Sequence, residues 1–92
     1  MVVEADAERR DVTETILAKL RFAVAPVGSV EQALAVMRAV RPNVIVCSAS
    51  DEEKVRDGLF YGEIPIVPLT DQPEELLENI RIALRARVIP LV

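Results

Sequence analysis

Arg41-Pro42-Asn43-Val44-Ile45-Val46-Cys47-Ser48 is the stretch that decides the fold. Pro42 ends whatever helix precedes it, because a proline ring disfavours helical backbone at the residue before it. The apolar run Val44-Ile45-Val46-Cys47 has no polar alternation, so both faces of that strand are expected to be buried. A strand covered on both sides belongs to a parallel sheet with helices above and below it. Ser48 follows, at the point where strand gives way to loop.

The flanking segments repeat the same alternation of strand and helix. Met1-Val2-Val3 is a short apolar strand whose end carries Glu4 and Asp6. From Ala7 to Leu20, a helical stripe of Val12, Ile16, Leu17 and Leu20 is expected. Phe22 to Val27 reads as a second strand, and Pro26 inside it points to a sheet edge, since proline donates no ladder hydrogen bond. Gly28-Ser29 opens a second helix. Ser29 and Gln32 form a capping box, and Val30, Ala33, Leu34, Met37 and Val40 give the apolar face. After the central strand, Ser50 and Glu53 suggest another capping box for a short charged helix over Asp51–Asp57, with Gly58 as a left-handed cap.

Leu59-Phe60-Tyr61 is an aromatic cluster before a fourth strand, Ile64 to Thr70, which holds Pro65 and Pro68. Asp71 and Glu74 suggest a third capping box with Pro73 in the first turn, where its missing N–H costs little. The last helix carries Leu76, Leu77, Ile80, Ala83 and Leu84 on one face. Val88-Ile89-Pro90-Leu91-Val92 is an apolar tail. Short links between strands and helices, with right-handed crossovers, imply one α/β domain over residues 1–92.

Composition narrows the function classes. The 92 residues are 51% apolar but only 3% aromatic, so the core is built of Val, Ile, Leu and Ala. A net charge of −4 argues against direct contact with nucleic acid, which favours a basic face. No apolar run approaches the ~20 residues that cross a bilayer, and no signal peptide is visible. One cysteine excludes an internal disulfide and makes a cytoplasmic setting the default. With no histidine and a single cysteine, zinc is not expected.

The chain resembles the receiver domain of bacterial response regulators, of the chemotaxis-regulator type. Val2-Val3-Glu4-Ala5-Asp6 looks like the family's acidic cluster, which holds Mg²⁺. Gly28-Ser29-Val30-Glu31-Gln32-Ala33-Leu34 looks like its second helix, and Arg41 to Ser48 like its third strand with the phosphoacceptor position at Ser48. Ile64 to Thr70 looks like the fourth strand ending in the hydroxyl switch residue, Thr70, and Pro73 to Ile80 resembles the last helix. The resemblance implies a flavodoxin-like sheet, here with four core strands in the order 2-1-3-4.

The departures shape the functional expectation. The acceptor aspartate is replaced by Ser48, the acid cluster is reduced to Glu4 and Asp6, and no lysine follows the fourth strand. One helix-strand unit, the family's fourth helix and fifth strand, is missing from the pattern. A serine hydroxyl is a poor nucleophile without a base, and the chain has no histidine. The resemblance therefore implies a degenerate, truncated pseudo-receiver with no catalytic residue, no cofactor and no metal.

Its pocket positions are Glu4, Asp6, Ser48 and Thr70. Each also has a plainer role: acids near a helix start are favoured by its dipole, and small polar residues suit strand ends. Cys47 reads as an inert core thiol. The expected activity is contact with protein, either a second copy in a homodimer or an output partner in two-component-type regulation. Leu59, Phe60, Tyr61, Pro65, Pro68, Ile82, Val88, Ile89 and Leu91 are the candidate interface, because an edge strand, an off-stripe isoleucine and an apolar tail together make an exposed patch. The alternative is a receiver that accepts phosphoryl groups on Ser48 or Asp51 with Mg²⁺. A small enzyme is disfavoured, since the chain has no glycine-rich phosphate loop.

Overall fold

The computed structural model describes residues 1–59 and 64–87, with side chains through Arg85. Strand and helix alternate as β1 (Val2–Val3), α1 (Ala7–Lys19), β2 (Pro26–Val27), α2 (Val30–Val36), β3 (Ile45–Cys47), α3 (Glu52–Gly58), β4 (Ile66–Pro68) and α4 (Pro73–Arg87). All pairings are parallel and the strand order is β2-β1-β3-β4. This is the flavodoxin-like α/β arrangement read from the sequence, with the expected order.

Side-chain alternation along the strands sorts the core into two layers. Val2, Val46 and Val67 face one way, and with Val44 they pack against Leu17 of α1 and Leu76 and Ile80 of α4. Val3, Val27, Ile45 and Cys47 face the other way, against Val30 and Ala33 of α2 and Val55 of α3. Every residue of β3 is buried. The missing alternation in its sequence is thus explained by helices on both sides.

Both outer strands carry a proline, and backbone pairing shows how it is accommodated. Val2 N–H donates to Ala25 O and Glu4 N–H to Val27 O, each at 3.0 Å, so Ala25 and Val27 face β1 and Pro26 faces outward. Ile45 N–H donates to Pro65 O (3.0 Å) and Leu69 N–H to Cys47 O (2.8 Å), which turns Pro68 outward as well. Neither ring removes a ladder bond from the sheet.

Several local expectations change. On α1 the buried residues are Thr13 and Leu17, while Val12 and Leu20 are 55% and 47% exposed. The helix is rotated about one residue from the predicted stripe. Thr13 tolerates burial because its Oγ1 donates to Arg9 O at 2.8 Å, leaving its methyl to pack. β2 is shortened to Pro26–Val27, and the start of the expected strand, Phe22, closes α1 instead. Arg21 N–H donates to Ala18 O and Phe22 N–H to Leu17 O, a Schellman closure with Arg21 at φ 68°. α2 stops at Val36, and tighter turns through Ala39 carry Val40 out to 52% exposure.

The Ser29–Gln32 cap forms: Ser29 Oγ accepts from Gln32 N–H at 3.1 Å, and Gln32 Oε1 accepts from Gly28 N–H at 2.8 Å. The other two boxes do not. α3 begins after Asp51, which is already in helical conformation and makes no side-chain cap. α4 begins at Pro73, so Asp71 lies outside it, and its Oδ1 accepts from Arg9 Nη2 at 3.1 Å. Gly58 is not left-handed either. A Cβ there would stand 2.7 and 2.8 Å from the two Leu34 methyls, so close approach of α3 to α2 is what its hydrogen serves.

Candidate functional site

The C-terminal ends of β1, β3 and β4 bring Glu4, Asp6, Ser48 and Thr70 to one edge of the sheet, where ligands bind in folds of this class. The four predicted pocket residues thus share one rim. Their hydrogen bonds show what each is doing there.

Asp6 is the N-cap of α1. Its Oδ1 accepts from Glu8 N–H at 2.9 Å and Arg9 N–H at 3.3 Å, which supplies two backbone donors that have no partner inside the helix. Glu4 is buried, 8% exposed, and its Oε1 accepts from Asp6 N–H at 3.3 Å. The Glu4 carbonyl accepts from Arg10 Nη1 at 2.9 Å, so a cation reaches back from α1 over the same strand end. Both acids are built into the start of α1.

Ser48 has an acid partner that the sequence reading did not anticipate. Its Oγ donates to Asp51 Oδ2 at 3.1 Å and lies 3.2 Å from Ser50 Oγ. The turn after β3, closed by Asp51 N–H donating to Ser48 O at 3.0 Å, folds the two side chains together. The i, i+3 spacing of Ser48 and Asp51 was the signal for this contact. Thr70 Oγ1 accepts from Gln72 N–H at 3.0 Å, fixing the turn into α4. Arg9 and Asp71 then clasp α1 to that turn.

Beneath the rim, Cys47 is fully buried. Burial first, then the Glu52 and Asp51 carboxylates, push its thiol up to about 11, against a smaller opposing pull from Arg56. It stays a protonated thiol at neutral pH. Among the described residues, no three histidine, cysteine, aspartate or glutamate side chains converge as metal ligands.

The candidate interface divides. Pro68 and Ile82 are exposed, Pro65 is half-buried, and Leu59 packs partly against the core layer under α2 and α3. Phe60, Tyr61, Val88, Ile89 and Leu91 lie outside the described residues.

No family model, curated protein or solved structure matches this chain. Among the described residues, no helix is long and apolar enough to cross a membrane.

Proposed function

We propose that this chain is a non-catalytic receiver-like module that acts by phosphorylation-independent contact with protein, in regulation of the two-component type. The observation that carries the reading is the commitment of the rim. Where a receiver needs an acceptor carboxylate and a cation-binding acid pair, this chain has the Ser48 hydroxyl, an α1 N-cap and a buried glutamate tied to the adjacent backbone. Thr70 serves a turn and Cys47 is inert.

The partner is a second copy or an output domain, and the surface is the flank formed by β4 and α4. Ile82, 56% exposed on α4, supports that placement, because a large aliphatic on an otherwise polar helix face gains by being covered. Addition of a further strand to β4 is disfavoured, since Pro68 offers no N–H to the outside. Contact through α4 side chains is therefore preferred to extension of the sheet. The reading places the module in the cytoplasm.

One observation favours the alternative receiver: the Ser48 hydroxyl donates to a carboxylate, Asp51, that can take its proton as an acceptor attacks phosphorus. Incubation with acetyl phosphate and Mg²⁺ separates the two. The pseudo-receiver gives no phosphorylated species by mass spectrometry. Phosphate on Ser48 that disappears in Ser48→Ala and Asp51→Asn overturns it in favour of the alternative. Size-exclusion chromatography with light scattering then tests the partner, a dimer that Ile82→Asp converts to monomer being expected for self-association.

A further inference from the structure

We propose that the groove between α1 and α4 at the base of the sheet is the docking surface for this chain's own segment Val88–Val92. α4 descends the sheet: Leu76, near its start, borders the C-terminal end of β4, while Ile80 and Leu84 border the opposite end, beside Met1 and Val44. There the two helices leave an apolar cavity of about 340 Å³. Leu17 and Phe22 wall it from the α1 side and Leu84 from the α4 side.

On the side of α1 that meets the sheet, Thr13 and Leu17 are the buried residues, and Leu17 reaches the cavity wall. The cavity rim is unusually apolar for solvent, with Val40 52% and Phe22 36% exposed. Such a rim gains from an aliphatic occupant.

Length and direction identify the occupant. Val88 follows Arg87, the last residue of α4, one helical turn beyond Leu84 in the cavity wall. Five extended residues reach about 17 Å, enough to cross from the end of α4 to α1. Val88, Ile89, Pro90, Leu91 and Val92 have no charged side chain. Pro90 cannot continue a helix, so the segment is suited to lie extended across the groove. This surface is separate from the rim and does not depend on the receiver reading.

The test uses the full chain with Val92→Cys carrying a nitroxide. Cys47 is fully buried, so the new thiol is the one that reacts. Amide signals of Leu17, Phe22 and Val40 are expected to be lost to paramagnetic broadening, while those of Glu53 and Val55 on α3 persist. Ile89→Ser/Leu91→Ser in the same spin-labelled protein is expected to lower the paramagnetic relaxation rates at Leu17 and Phe22, because an undocked tether only samples the neighbourhood of the groove that Leu84 shares with them. Broadening absent from α1, or unchanged by the two serines, overturns the proposal. So does broadening of isotope-labelled wild type mixed with isotope-silent labelled protein, which would assign the groove to a second copy's segment.

Discussion

Pro26 and Pro68 occupy equivalent places on opposite edges of the sheet, each with its ring nitrogen turned to the outside. On β2 the inward carbonyls are those of Ala25 and Val27, and on β4 the inward groups are Pro65 O and Leu69 N–H. Each edge therefore lacks one donor that an incoming strand would need, while no ladder bond inside the sheet is lost. Among the described residues β2 and β4 are the outer strands of the sheet, and each proline withholds a donor from that side.

Replacing Pro68 by valine restores the outward donor and adds a β-branched side chain to an exposed edge. The folded monomer should change by less than about 0.5 kcal/mol, as surface substitutions do, while association becomes strongly dependent on concentration. Light scattering across a dilution series reads this directly. A variant as monodisperse as wild type would mean that the proline does not guard the edge.

Arg21 sits at φ 68° in the position that closes α1. A left-handed backbone costs a residue with a Cβ about 1–2 kcal/mol, and glycine gives part of that back as chain entropy in the unfolded state. Arg21→Gly should stabilise the fold by about 0.5–1 kcal/mol, seen as a higher urea midpoint with unchanged slope. Arg21→Val should move the midpoint the other way.

Gly58 and Leu34 are coupled across α2 and α3. Gly58→Ala forces Leu34 to leave its seat against the core and should cost about 1 kcal/mol by overpacking. In a Leu34→Ala background the same change should be neutral or slightly favourable, giving a coupling energy of about 1 kcal/mol in the double-mutant cycle. Additive effects would show that α2 and α3 separate easily.

Cys47 gives a pH signature. Its thiol is near 9 when unfolded and is pushed up to about 11 by burial and the neighbouring carboxylates in the fold. The stabilising difference is complete below pH 9 and is lost as pH rises through 11, because the unfolded chain gains the thiolate first. A shift of this size corresponds to about 2–3 kcal/mol. Cys47→Ala should flatten that part of the stability profile, and in wild type an alkylating reagent at pH 8 should react only as fast as the fold opens. Rapid labelling of the native protein would contradict the burial.

Much of the architecture was legible because its causes are local. The apolar run Val44–Cys47 between Pro42 and Ser48 required a strand covered on both faces, and the Ser29–Gln32 pair required a helix start. Both prolines required edges. These depend on backbone hydrogen bonding and side-chain alternation among near neighbours, which a sequence states outright. The rim positions Glu4, Asp6, Ser48 and Thr70 were placed for the same reason, since parallel strands all end on one side.

The sequence by itself determined the alternation of strands and helices, the two guarded edges and the rim on which the polar residues gather. Only the tertiary structure decided which side of α1 turns inward, why residue 58 carries no side chain, and that Ser48 meets Asp51. The physical reason is that helix rotation and contact choice answer to groups distant along the chain. Leu17 is buried because it packs on the floor laid by Val2 and Val46, and Gly58 is needed because Leu34 arrives from another helix.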